Sequence, residues 1–64
     1  MESNELTITI KTDNAAFEGD CYGPEIARIL RDIAMQHEQG LLDRDMPLII
    51  RDINGNAVGL LEHN

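Results

Sequence analysis

Polar and apolar residues alternate strictly in the first patterned segment of the chain, ELTITIKT at residues 5–12. One face of this segment carries only aliphatic side chains, those of Leu6, Ile8 and Ile10. A period of two residues with many β-branched side chains is typical of a strand that buries one face. We therefore predict a half-buried strand here.

The next patterned segment, GPEIARILRDIAMQHEQG, has a helical period instead. Pro24 suits the first turn of a helix, and Gly40 suits the left-handed position that ends one. An apolar stripe recurs at helical spacing and comprises Ile26, Ile29, Leu30, Ile33 and His37. Glu25, Arg28 and Asp32 are expected on the opposite side of the helix, spaced for weak ion pairs. The pattern predicts one amphipathic helix.

Two short apolar runs, PLIIRD and NAVGLLE, surround a turn rich in glycine and asparagine. A two-residue turn at Asn54 and Gly55 and a three-residue loop are the two alternatives. The three-residue loop places Asp52 opposite Asn56 and leaves Gly55 left-handed. Only this loop gives one uninterrupted apolar face, comprising Leu48, Ile50, Val58 and Leu60. Because a buried face specifies strand register, we predict the three-residue loop, with Asp52, Asn54 and Gly55 as structural turn residues.

The order strand, helix, strand, strand predicts an α+β fold of the β-α-β-β type. In such a fold a three-stranded sheet carries one helix packed on one face. The 64 residues are expected to form a single small domain, 1–64. The order of the strands within the sheet is left open by the pattern.

Twelve acidic residues stand against five basic ones, which gives a net charge of −7. Such a surface repels nucleic acid and anionic membranes, so we expect neither as a direct partner. Cys21 is the only cysteine, which fits a reducing compartment and a cytoplasmic location. Because domains of this size often need added stability and no internal disulfide can form here, we expect a homodimer.

Few residues have the spacing that chemistry requires. Cys21 precedes the predicted helix, His37 lies on its apolar stripe, and His63 lies in a tail that is expected to fray. These three residues do not form a zinc pattern. Gly55 comes two positions too early for a calcium loop. We therefore predict no catalytic residue, no metal site and no cofactor, and a protein that is not an enzyme.

Two surfaces are candidates for binding a partner. The first is the second face of the hairpin, comprising Ile49, Arg51, Ala57, Gly59 and Leu61. Two such faces could stack in a dimer, or two edge strands could join. The second is an acidic surface, comprising Asp13, Glu18, Asp20, Asp43 and Asp45. Clustering of these acids on one side of the fold would favour a basic partner.

Three segments, TIKTDNAAF, EIARILRDIA and RDINGNAVG, resemble a group of short acidic proteins encoded by bacteriophages and prophages. The resemblance covers most of the chain, from about residue 7 to residue 60. It implies a bacterial or phage cytoplasmic setting and a small accessory role, and it assigns no catalytic residue.

These observations predict a small non-enzymatic protein-interaction module, homodimeric and with a further, unidentified protein partner. The alternative is an acidic nucleic-acid mimic that inhibits a host nucleic-acid-handling enzyme, which the net charge of −7 and the resemblance both favour.

Overall fold

A computed structural model describes residues 4–64 of the chain. Its elements in chain order are β1 (Leu6–Ile10), α1 (Tyr22–Glu38), β2 (Leu48–Arg51) and β3 (Ala57–His63), with two short 3-10 turns at Ala15–Phe17 and Gly19–Cys21. The strands form one antiparallel sheet accompanied by the helix, so the predicted α+β fold is confirmed. Residues 1–3 of the expected domain 1–64 lie outside the described residues.

The strand order is β1-β3-β2, so β3 is the central strand and β1 and β2 are the edge strands. β1 pairs with β3 from Leu6 opposite His63 to Ile10 opposite Gly59. Hydrogen bonds in both directions between the backbones of Glu5 and Asn64 extend this ladder by one pair. The expectation that His63 lies in a frayed tail is therefore wrong.

The end of α1 follows the local sequence. Gly40 has a φ angle of 68°, which is the left-handed conformation that was predicted for it. Its N–H donates to the carbonyl oxygen of His37 at 3.1 Å, and the N–H of Leu41 donates to that of Gln36 at 3.0 Å. These two bonds satisfy carbonyl groups that the end of the helix would otherwise leave without partners.

The hydrophobic core lies between α1, the connection before it and the sheet. Its buried members are Ala16, Phe17, Ile29, Ile33, Ile50, Val58 and Leu61. Leu61 is the most deeply buried of them, with 0% of its surface exposed. Burying one such aliphatic side chain stabilises the fold by roughly 1.5–3 kcal/mol.

The pairing of β2 with β3 contains a bulge that the sequence pattern did not predict. Ile50 pairs with Gly59, whereas a regular ladder would have paired it with Val58. An extra residue in one strand shifts the alternation of side chains by one position. As a result Leu61 points into the core, and the prediction that Leu60 does so is wrong.

The aliphatic face of β1 is only partly covered. Ile8 pairs with the buried Leu61, which places its side chain on the face of the sheet that carries α1. Nevertheless Ile8 is 38% exposed and Leu6 is 50% exposed. Because β1 is at the edge of the sheet, it leaves apolar surface in water where the sequence predicted burial.

Candidate functional site

The hairpin turn has the three-residue loop that the sequence predicted. The N–H of Gly55 donates to the carbonyl oxygen of Asp52 at 3.0 Å, and Gly55 has a φ angle of 86°. The N–H of Asp52 donates to the carbonyl oxygen of Asn56 at 2.9 Å. Asp52 and Asn56 therefore face each other across the loop, and Gly55 supplies the left-handed residue that closes it.

The carboxylate of Asp52 is buried at the centre of this loop, with only 4% of the residue exposed. Its Oδ1 accepts hydrogen bonds from the N–H groups of Asn54 and Asn56, both at 2.9 Å. Its Oδ2 accepts from the side-chain amides of Asn14 at 2.8 Å and Asn56 at 3.2 Å. A buried carboxylate needs such partners, because leaving it without them would be costly.

Asn14 ties the connection after β1 to the hairpin. Its Nδ2 donates to Asp52, and its Oδ1 accepts from the N–H of Ala16 at 3.0 Å. The second bond caps the 3-10 turn that carries the buried Phe17 into the core. One side chain thus holds two segments that are far apart in sequence.

Glu25 forms a second buried anchor, with 5% of the residue exposed. Its two oxygens accept from Nε and Nη2 of Arg28, each at 2.9 Å, and Oε2 also accepts from the N–H of Ile53 at 2.8 Å. Nη2 of Arg28 also donates to the carbonyl oxygen of Arg51 at 3.2 Å. The expected ion pair between Glu25 and Arg28 is present. The expectation that Glu25 lies opposite the buried stripe is wrong, because its carboxylate is buried and fastens α1 to the hairpin turn.

The hydrogen bonds from Arg28 have the largest effect on Glu25 and lower the pKa of its carboxyl group, against burial, which acts to raise it. The same contact raises the pKa of Arg28. Burial also acts to raise the pKa of Asp52, but the hydrogen bonds from Asn56, Asn54 and Asn14 together leave it lowered. Both carboxyl groups therefore stay ionised near neutral pH, which suits anchors better than proton donors.

A groove of about 240 Å³ runs between α1 and the edge strand β2. Its lining comprises Arg28, Ile29, Asp32, Ile33, Gln36, Leu48, Ile49, Ile50, Arg51 and Asp52. The side chain of Ile49 is 53% exposed and adds apolar surface at this edge of the sheet. Arg28, which bonds to Glu25, is one of the residues that line it.

The predicted partner face is not one continuous surface. Ile49, Arg51 and Ala57 are exposed, but Leu61 is wholly buried in the core. Gly59 is half-buried, and a Cβ atom there would collide with the backbone carbonyl oxygen of Thr9. The inclusion of Leu61 was wrong because the bulge moves its side chain to the other face, and Gly59 has a packing role between strands.

The acidic residues proposed as a second surface are all exposed, namely Asp13, Glu18, Asp20, Asp43 and Asp45. They do not form one cluster. Asp20 lies in the turn directly before α1, whereas Asp43 follows the end of α1. A helix of 17 residues is about 25 Å long, so the helix separates the two groups by that length.

The histidines lie apart from these anchors, whereas Cys21 lines a pocket together with Glu25. Cys21 is exposed at the start of α1. Nδ1 of His37 lies 3.0 Å from the carbonyl oxygen of Ile33, and the rings of His37 and His63 are 6.2 Å apart in an edge-to-face arrangement. Within residues 4–64, no group of three or more His, Cys, Asp or Glu side chains is placed to hold a metal ion.

No protein-family model matches this chain, and neither a curated protein nor a solved structure matches it. The resemblance to short phage proteins accordingly stays a prediction. In the described part of the chain, no helix has both the length and the apolar composition needed to cross a membrane.

Sequence reasoning found Asp52 but missed Asn14 and Glu25. Asn14 has a local signal, because an asparagine often caps the turn that follows it. Glu25 lies one helical turn before Ile29, so its spacing placed it beside the buried stripe. It was nevertheless assigned to the side opposite the stripe, and no local signal reveals that Ile53 would bring an N–H group to it.

Proposed function

We propose that this chain is a small non-enzymatic protein-interaction module that acts as a homodimer, with a further protein as its partner. A bacterial cytoplasmic setting and an accessory role in a phage or prophage are part of the proposal and rest on the resemblance described above. The observation that carries it is the apolar surface at both edges of the sheet, where Leu6, Ile8 and Ile49 are between 38% and 53% exposed. Apolar patches of this kind favour association.

The arrangement of the carboxylates supports a role without catalysis. Asp52 accepts four hydrogen bonds from the hairpin and Asn14, and Glu25 accepts three from Arg28 and Ile53. Each is committed to holding one segment against another. A general acid or base needs instead to reach a substrate in a cleft, with a pKa near the working pH.

The acidic nucleic-acid mimic has weaker support. A mimic benefits from acids that present one continuous face to a basic partner. Here Asp20 precedes α1 and Asp43 follows it, and the helix between them is about 25 Å long. The net charge of −7 is therefore better interpreted as a contribution to solubility.

Two measurements test the proposal. Sedimentation velocity over a micromolar concentration series is expected to show a monomer–dimer equilibrium. A tagged pull-down from nuclease-treated bacterial lysate, eluted with a salt gradient, is expected to retain a protein partner at high salt. A monomer at every concentration that recovers only itself would contradict the module, and a nucleic-acid-handling enzyme released by moderate salt would favour the mimic.

A further inference from the structure

We infer that two copies of this chain join through the outer edges of their β1 strands, antiparallel and with the two-fold axis at Ile8. The two three-stranded sheets would then form one continuous sheet of six strands. The inference rests on the homodimer of the proposed function and specifies which surface forms it. The second copy is recognised by the backbone of β1 and by the order of its side chains.

The direction of the backbone groups selects the residues that face outward. Glu5 exchanges hydrogen bonds with Asn64, and the N–H of Lys11 donates to the carbonyl oxygen of Val58 at 2.7 Å. Odd-numbered residues of β1 therefore pair with β3. Because alternate residues of a strand direct their N–H and C=O groups to opposite sides, the even-numbered residues present theirs to the outer edge, namely Leu6, Ile8 and Ile10. No strand within residues 4–64 pairs with that edge.

A two-fold axis at Ile8 uses all three of these residues. It places Ile8 opposite Ile8 of the second copy and Leu6 opposite Ile10, so that each pair exchanges two backbone hydrogen bonds. Thr7 then lies opposite Thr9 of the second copy on the other face. Pairs of threonines and pairs of aliphatic residues both stabilise antiparallel strands.

The charged ends of the segment are complementary in the same register. Glu5 lies opposite Lys11 of the second copy, and the two-fold axis repeats this pair. Both residues are exposed, and both lie on the face of the sheet that carries the threonines. Two molecules with a net charge of −7 repel each other, so two attractive pairs at the edge help to select this register over its neighbours.

The partly covered aliphatic face supports the same edge. Leu6 and Ile8 are 50% and 38% exposed on the face that carries α1. Leu30 is also 45% exposed. Arg28 lines the groove beside β2, and helical geometry places Leu30 on the opposite flank of α1, away from β2. Pairing across the two-fold axis would make one apolar strip from both copies.

The other edge of the sheet is less suited to pairing. β2 has only four residues, its ladder contains the bulge, and it ends at the exposed Arg51. Short strands, bulges and charged side chains are the features that protect an edge from joining another strand. β1 has five residues in a regular ladder and ends in a self-complementary charge pattern.

A charge exchange tests the register. Glu5→Lys and Lys11→Glu each place like charges opposite each other twice, so each is expected to raise the dimer dissociation constant roughly two- to thirtyfold. The double variant restores both attractive pairs and is expected to return to within about threefold of the parent. An equimolar mixture of the two single variants is expected to form heterodimers. Sedimentation velocity of the full chain measures all four cases.

A substitution at the axis tests the edge itself. Ile8→Lys places two ammonium groups opposite each other and is expected to weaken the dimer at least about tenfold. Ile53→Lys is the matched control, since Ile53 is an exposed isoleucine in the hairpin turn, outside both edge strands, and it is expected to leave the dimer unchanged. Ile49→Lys makes the same exchange on the other edge strand and tests that edge as the competing interface. Circular dichroism confirms that each variant is folded before its dissociation constant is compared.

The outcomes separate this inference from the proposed function. A dimer that survives Ile8→Lys and Lys11→Glu but is lost in Ile49→Lys would overturn the β1 interface while keeping the homodimer. Loss of the dimer in both single charge variants without recovery in the double variant would overturn the register. A parent chain that is monomeric throughout the micromolar range would overturn the homodimer and the interface together.

Discussion

The hairpin end of the sheet and the β1 edge differ in how completely their side chains are buried. At the hairpin end, Asp52 and Glu25 are 4% and 5% exposed and are surrounded by hydrogen-bond donors. At the β1 edge, Leu6 and Ile8 lie on the helix-bearing face of the sheet and still leave large fractions of their surface in water. Hydrogen bonds hold the hairpin end together and exclude solvent from its carboxylates, whereas the aliphatic side chains of the β1 edge remain partly exposed.

The difference indicates which region fixes the folded geometry of this small protein and which region is available for association. Buried polar groups that are fully satisfied fix one geometry, because any other arrangement would leave a charge without partners. Uncovered aliphatic side chains tolerate either solvent or a second apolar surface. We therefore expect substitutions in the packed region to change folding, and substitutions at the β1 edge to change assembly.

The largest expected effect is at the centre of the core. Leu61→Ala removes a wholly buried side chain and should lower the free energy of unfolding by about 2–5 kcal/mol. Leu6→Ala removes a half-exposed side chain at the β1 edge and should lower the free energy of unfolding of the monomer by less than about 1 kcal/mol. Urea unfolding followed by far-UV circular dichroism compares them. Equal losses would mean that the β1 edge is as well packed as the core.

The next effect concerns the close approach of β1 and β3. Gly59→Ala puts a methyl group against the carbonyl oxygen of Thr9 and should cost about 2–3 kcal/mol, because backbone must move to make room. Gly23→Ala is the control, since Gly23 lies in α1 with open space around it, and it should stabilise the chain by roughly 0.5 kcal/mol. Thermal unfolding should show a lower melting temperature for Gly59→Ala and a higher one for Gly23→Ala than for the parent chain.

Acid should destabilise the hairpin end by a smaller amount. The pKa values of Glu25 and Asp52 are lowered in the folded state, so the unfolded chain binds more protons as the pH falls. Their contribution is complete above about pH 5 and is lost progressively below about pH 4. Melting temperatures measured across this pH range test whether stability falls as the pH falls. Asp52→Asn and Glu25→Gln should each make the acid decline shallower, and an unchanged decline would show that other groups cause it.

The smallest effect is expected where α1 ends. Gly40→Ala forces a side chain into a left-handed conformation and should cost about 1 kcal/mol. Gly40→Asn should cost less, because asparagine tolerates that conformation better than alanine. Chemical unfolding of both variants measures the difference. A larger loss for Gly40→Asn would indicate that side-chain contacts, rather than the φ angle, limit this position.

Much of this fold could be predicted because its elements follow local patterns. The alternation around Ile8, the stripe through Ile29 and the glycine signals at Gly40 and Gly55 each concern residues close in sequence. The bulge could not be predicted in this way. Next to the bulge, Gly59 pairs with Ile50 of β2 and with Ile10 of β1, so this position joins three strands, one of them distant in sequence.

The candidate sites were predicted less completely for a related reason. Asp52 was recognised because an aspartate at the start of a turn bonds to backbone two residues later. Its bond to Asn14 and the bond from Ile53 to Glu25 link segments 38 and 28 residues apart. No local pattern reports such contacts, and the partner face was assigned from a register that the bulge alters.

The central position of β3 has a consequence for the order of events during synthesis. β1 leaves the ribosome first, but Leu6 has its partner in His63, and β2 must also wait for β3. At about 5–20 residues per second, β1 remains without its sheet partner for several seconds. The helix can form early, but the sheet can assemble only after the ribosome has released β3. A nascent chain stalled within residues 51–56 lacks β3. It should therefore be partly helical, sensitive to proteases and prone to associate with other chains through β1.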